Sequence, residues 1–222
     1  MAQRTGRALQ QDRAVQTRKK ILNAAAAVFD ELGYGRATIA DIVQRSGMTK
    51  GALYFHFENK SAMAAAVITA QIEGMSGIPP HQLALQQLID TGYLLAYQLR
   101  KDPIQRGASR LAMEQAAKDL DTKRSNDLWL ELVTGILTEA RRQEELRTSV
   151  NIEELAWHFV ASFSGIQNMS QNYDGRMKLT SHLKVMWQYV LPSVVDPVVL
   201  AQLELDPDRG ERLANSLSSS GS

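Results

Sequence analysis

The sequence predicts an all-α protein: a small N-terminal three-helix head that carries a helix-turn-helix, followed by a larger C-terminal helical body. Apolar residues recur three or four apart through nearly every segment, which is the helical period. Only six prolines occur, and none interrupts a long periodic run. At 222 residues the chain can bury a real core, and 44% hydrophobic with 22% charged residues is ordinary globular usage.

Residues 1–12 read as a flexible polar arm, and Arg4, Arg7 and Arg13 without an apolar segment behind them exclude a secretory leader. From about 13 to 32, Val15, Ile21, Leu22, Ala25, Val28, Phe29 and Leu32 form one stripe, and Gly33 supplies a stop. Thr38 suits an N-cap with Asp41 three positions on, opening a short helix through Ile39, Ile42 and Val43 that ends at Ser46-Gly47. Thr49 can cap a third short helix over 50–55, and 58–74 reads as a longer fourth. The stretch 77–80 is a break. Helices are expected beyond it at about 81–101, 103–118, 122–146, 151–173 and 176–191, with a short piece near 197–205. Pro103 sits at a first turn, and Pro192 and Pro197 terminate or punctuate the end. The Ser-rich tail is expected to be disordered. The resulting domains are an arm at 1–12, a head at 13–58, a body at 59–205 and a tail at 206–222.

Charge and cysteine content narrow the function. The first 60 residues hold ten Lys or Arg against five Asp or Glu, while the rest is mildly acidic. A basic head on an acidic body suggests that the head meets a polyanion. No stretch approaches the ~18 apolar residues of a membrane span. The absence of cysteine excludes disulfides and thiolate metal sites and fits a reducing cytoplasm. The four histidines are scattered without an HExxH pair, and no GxSxG or phosphate-cradling glycine loop occurs. Neither catalysis nor a cofactor or metal is expected.

The run 38–57, TIADIVQRSGMTKGALYFHF, has the make-up of two short helices joined by a tight turn at Gly47. Ile42, Val43, Met48 and Leu53 have the spacing of a shared inner face against Ile21, Ala25 and Phe29. The outward face of the second helix then carries Thr49, Lys50, Gly51 and Tyr54, with His56 at its end. Lys50 suits a phosphate or guanine edge, Tyr54 a phosphate and a thymine methyl, and Gly51 allows close backbone approach. Thr38 and Gln16-Thr17-Arg18 are placed for flanking phosphates. Phe57 reads as core, and Phe55 fits either core or duplex.

Residues 13–64 resemble the DNA-binding head of the TetR family of repressors. The agreement includes Gly33-Tyr34, Thr38, Ile42, Gly47, the run Tyr54-Phe55-His56-Phe57 and Lys60 after it. The resemblance implies a nine- or ten-helix homodimer with a ligand pocket in its body. It carries duplex contacts onto Thr49, Lys50, Gly51, Tyr54 and Phe55, and Arg18, Thr38, His56 and Lys60 complete the expected DNA-binding set.

In the body, Ile152, Leu155, Phe159, Phe163 and Ile166 form one stripe, yet Trp157, Ala161 and Gly165 make the other side apolar too. Leu179, Leu183, Met186, Trp187 and Val190 line the next helix. Helices apolar on two sides need cover on two sides, and an intermolecular four-helix bundle supplies it. Gln71, the Trp129 helix ahead of Leu137–Arg141, and His158, Ser162 and Gly165 resemble the γ-butyrolactone autoregulator receptors. That likeness implies a cavity lined by Trp129, a hydrogen-bonding Gln71, and Ser162 and Phe163 nearby. The ligand would be a small hydrophobic γ-butyrolactone, butenolide or furan-type signal that releases the dimer from a pseudo-palindromic double-stranded operator, with secondary-metabolism genes as targets. The rival reading keeps the fold and has it answer to a different hydrophobic ligand at an efflux or stress gene.

Overall fold

The computed structural model describes residues 2–75, 78, 81–114 and 122–220, which form eleven helices with one isolated Leu146–Val195 bridge. The chain divides into two compact units. The first comprises Met1–Gln71 and Asp102–Ser125, the second Ile72–Lys101 and Asn126–Ser222.

In the first unit, α1 (Ala2–Arg36) is a long helix interrupted at Gly33, where φ is 76°. It carries the head core: Ile21, Ala25, Ala26 and Phe29 are fully buried, with Ile42 of α2 (Ile39–Ser46) and Leu53 of α3 (Lys50–His56). The next helix, α4 (Lys60–Glu73), buries Met63, Ala64, Val67 and Ile68. This unit is larger than the 13–58 head expected from sequence, because α6 (Pro103–Met113) packs along α1. A Cβ on Gly107 would fall well inside contact distance of the Ala26 carbonyl, so only glycine lets the two backbones approach this closely. Polar contacts fix the register of the pair. The Arg106 Nε bonds Asp30 Oδ2 at 2.6 Å, Arg110 Nη1 donates to the Asp30 carbonyl at 2.6 Å, and Glu114 accepts the Tyr34 N–H.

The second unit is built from α5 (Ala84–Lys101), most of α7 (Thr122–Arg142), α8 (Ile152–Asp174), α9 (Leu179–Val194), α10 (Pro197–Leu200) and α11 (Arg209–Ser220). Leu88, Ile89, Tyr93 and Leu94 of α5 meet Leu155 and Phe159 of α8 and Leu183 and Trp187 of α9 in one core. The Phe159 and Trp187 rings lie 5.1 Å apart, and Trp187 Cζ2 stands 3.3 Å from where a Cβ on Gly92 would be. The Glu145 carboxylate, 1% exposed, accepts the Ala84 and Leu85 N–H groups at 2.7 and 2.8 Å and so caps α5 from a distance.

Several expectations are corrected. The arm continues α1 back to Ala2, since Gln, Arg, Ala and Leu are all good helix formers. The tail forms α11, because Leu213, Ala214 and Leu217 find an apolar surface on α5 and its neighbours. Arg209 anchors that helix: its guanidinium clasps the Asp90 carboxylate at 2.6 and 2.8 Å and also meets Glu204. Pro192 lies inside α9 rather than ending it, with Arg147 donating to its carbonyl. The short piece near 197 ends at Leu200, and α6 ends at Met113; residues 115–118 and most of the 77–80 break lie outside the described residues.

Asp90 is 3% exposed, so removing its partner strands a buried charge. Arg209→Met is expected to cost about 3 kcal/mol in urea unfolding. Pairing it with Asp90→Leu should recover most of that loss; a double variant as weak as the single would show that α11 docks by other means.

Candidate nucleic-acid interface

The wedge of α2 and α3 is held by local caps. Thr38 is extended (φ −116°, ψ 158°); its Oγ1 accepts the Asp41 N–H at 3.2 Å while Asp41 Oδ2 accepts the Thr38 N–H at 2.9 Å. This is a complete capping box, and the Thr38 hydroxyl and backbone hydrogen bonds hold the Asp41 carboxyl below its ordinary pKa. The turn residue Gly47 has φ 65°, a left-handed conformation that glycine adopts without steric cost, and its N–H closes on the Val43 carbonyl. Thr49 then caps α3 by accepting the Ala52 N–H at 3.1 Å, leaving its own O–H to donate elsewhere.

On this scaffold α3 turns Leu53 inward at 0% exposure, with Phe57 following at 4%, and turns the next face out. Thr49, Lys50 and Gly51 are exposed at its N-terminus. Tyr54 is 46% exposed with the Lys50 ammonium 5.9 Å from its ring centre. Phe55, which the sequence left between core and surface, is 81% exposed and meets His56 edge-on at 5.1 Å. A Cβ on Gly51 would meet only Thr49 Oγ1, at 4.0 Å, so the backbone there is open to a close neighbour. Arg18 is exposed on α1 with its guanidinium 5.0 Å above the Phe57 ring, which places a cation beside the end of α3. The structure thus brings Arg18, Thr49, Lys50, Gly51, Tyr54, Phe55 and His56 into one region of the head.

Two expected contacts have other employment. Lys60 sends its Nζ to the Tyr34 and Ala37 carbonyls at 2.8 and 2.9 Å and lies 4.3 Å over the Tyr34 ring. It ties α4 to the end of α1, which occupies two of its three N–H donors. The Thr38 hydroxyl is committed to its cap, donating to Asp41 Oδ2 at 2.6 Å. Arg45 is likewise paired with Glu31, whose pKa the Arg45 hydrogen bond lowers.

The expected ligand residues fall into both units. Gln71 is 2% exposed in the first, donating to the Gln105 carbonyl at 3.2 Å and to Ser109 Oγ at 3.3 Å. Its amide therefore fastens the end of α4 to α6. Gln105 and Ser109 were missed from sequence; the polar positions i and i+4 on an otherwise apolar face of α6 were the available signal. In the second unit Trp129 is half-buried against the core, as is Phe163, and Ser162 is partly exposed one residue before it.

Residues 21–67 match the family of bacterial regulatory proteins, tetR family, and residues 82–196 match the tetracyclin repressor-like C-terminal domain. The chain belongs to the TetR family. It is 36% identical over 194 residues to the A-factor receptor protein of Streptomyces griseus, covering 87% of this chain and 69% of that protein. The crystal structure of full-length TylP, a TetR regulator from Streptomyces fradiae, superposes with a TM-score of 0.88 at 38% identity over 92% of this chain and 99% of that one. A gamma-butyrolactone receptor (ArpA-like protein) gives 0.64 at 26% identity over 92% and 98%. Membership in the TetR family makes this chain a DNA-binding transcriptional repressor and not an enzyme. Among the described residues, no helix is long and apolar enough to cross a membrane.

Lys60→Met separates the two roles considered for that side chain. It is expected to destabilise the head by about 1–3 kcal/mol in urea unfolding, through the two carbonyls left unpaired. The salt dependence of duplex binding should stay as in wild type, whereas a slope lowered by about one would return Lys60 to the phosphate contacts.

Proposed function

We propose that this TetR-family repressor acts as a homodimer on a pseudo-palindromic operator and is released by a small lactone-like signalling molecule. The observation that carries the operator reading is the outward pair Lys50 and Tyr54, with Phe55 beside them, on a helix fixed by caps at Thr38, Gly47 and Thr49. Arg18, His56, Thr49 and Gly51 border that face. A helix seven residues long, capped by Thr49 and with an amphipathic phenol one turn after Lys50, suits the major groove. Lys50 neutralises a phosphate, and Phe55 offers an apolar ring to a thymine methyl.

Dimerisation is supported by α8 and α9. Positions 157, 161, 165, 169 and 173 lie four apart along α8, and Trp157, Met169 and Tyr173 are 65%, 61% and 85% exposed. Ala161 and Gly165 leave the middle of that row narrow, so a second helix can approach closely. On α9, Val185 and Tyr189 are 48% and 81% exposed, again four apart. A row of large apolar side chains on two helices that already bury their other faces belongs against a second copy, and two heads then meet half-sites about one DNA turn apart.

The lactone is supported by the likeness to the A-factor receptor and by Trp129, a half-buried indole that suits an amphipathic ring. Release requires that the ligand favour the state with the wrong head spacing. Within the first unit, α4 leads out of the wedge and Gln71 binds it to α6, which is itself locked to α1, so a shift of either helix is felt at the wedge.

Two experiments test the proposal. Gel shifts on the DNA upstream of the protein's own gene should give a retarded band that a γ-butyrolactone abolishes while quenching Trp129 fluorescence. Lys50→Ala should weaken that band and lower the salt slope by about one per head. Quenching and release by another hydrophobic compound but by no lactone would move the assignment to the rival trigger. For the dimer, Trp157→Arg with Tyr189→Asp should yield a folded monomer by light scattering and abolish the retarded band; a variant that remains dimeric would remove α8 and α9 from the interface.

A further inference from the structure

The head's basic surplus does not lie where the wedge is. Residues 21–60 hold Arg36, Arg45, Lys50 and Lys60 against Asp30, Glu31, Asp41 and Glu58, a balance of zero. Most of those cations are also engaged inside the protein: Arg45 with Glu31, Lys60 with two carbonyls, and Arg36 through Nε with the Leu32 carbonyl. Of these four cations only Arg45 has its charge paired, while Arg36 and Lys60 each spend hydrogen bonds on carbonyls, and Lys50 extends toward solvent beside Tyr54. By contrast, residues 2–20 hold Arg4, Arg7, Arg13, Arg18, Lys19 and Lys20 against a lone Asp12. The whole excess therefore sits upstream of the segment 21–67 that the family match covers.

The structure gives that segment a form. It is the first part of α1, continuous with the helix that carries the wedge, and from Ala2 to Lys20 it spans about 27 Å at 1.5 Å per residue. That length matches roughly eight base pairs at 3.4 Å per step. Arg13, Lys19 and Lys20 are exposed and make no ion pair among the described residues. Arg18 stacks on Phe57, the residue that closes α3, so the base of the extension is fixed beside the recognition helix.

We propose that residues 2–20 are a second DNA-contacting element, a helical rail that lies along the phosphates flanking each half-site and supplies the sequence-independent part of the affinity. The wedge then selects the sequence, and the rail holds the duplex by displacing counterions. This division accounts for a helix-turn-helix that carries only Arg45 and Lys50 against Asp41, a net charge of +1, in a DNA-binding head. It rests on the operator reading above only in taking duplex DNA as the polyanion.

The test is the full-length triple variant Arg4→Gln/Arg7→Gln/Arg13→Gln, in which glutamine keeps the helix propensity. Binding is measured from 50 to 200 mM salt on the upstream fragment and on a random-sequence duplex of equal length. The slope of log affinity against log salt should fall by about one for each of these arginines that meets a phosphate, and affinity should drop on both duplexes, with the preference between them kept. Unfolding curves should match wild type. An unchanged slope on the random duplex, or a loss confined to the upstream fragment, overturns the rail, as does wild-type protein that ignores random duplex at 50 mM but binds anionic vesicles. Wild-type protein that binds both duplexes equally sinks the operator reading and leaves the rail standing.

Discussion

The first unit depends on how closely two backbones meet. Where Gly107 of α6 lies on the Ala26 carbonyl, no side chain separates the helices, and the contact fixes α6 on α1 to within the tolerance of van der Waals packing. The other faces of α1 carry Ile21, Ala25 and Phe29 into the core shared with Ile42 and Leu53. One helix thus serves the recognition wedge and α6 together. Asp30, Arg106, Arg110 and Glu114 add direction to that contact, since ion pairs and carbonyl bonds resist sliding where apolar packing alone would allow it.

Several polar side chains among the described residues are spent on helix ends. Lys60 satisfies the carbonyls that follow the break in α1, Glu145 satisfies the first N–H groups of α5, and Thr38, Thr49 and Asn151 each cap their own helix. Such pairing is what a buried or half-buried helix terminus requires. The residues left outside this economy are the informative ones. Lys50, Tyr54 and Phe55 stay exposed on a capped helix, and Arg13, Lys19 and Lys20 of α1 are exposed with no ion pair among the described residues.

Much of the wedge was legible in the sequence. The Thr38–Asp41 box, the Gly47 turn, the Thr49 cap and the buried Leu53 and Phe57 all follow from rules that act over four residues or fewer. The same holds for α8, where two apolar sides in one helix announced that a single core would not cover it. The carbonyl bonds of Lys60 were not legible, because a lysine after a recognition helix has no local signature for a bond to carbonyls 23 and 26 residues away. The C-terminal helix was misread for a similar reason. Its serines suggest disorder, and only Asp90, 119 residues distant, explains why Arg209 holds it down.

The sequence by itself determined the helices, their caps, the turn between α2 and α3 and the side of each that turns inward, because these are set by short-range hydrogen bonds and by the helical period. Only the tertiary structure decided which polar residues remain available. Gln71 became a strut between α4 and α6, Phe55 came to the surface, and α6 joined the head instead of the body. Each outcome turns on a partner far along the chain, and sequence spacing carries no record of which distant backbone will come within three ångströms.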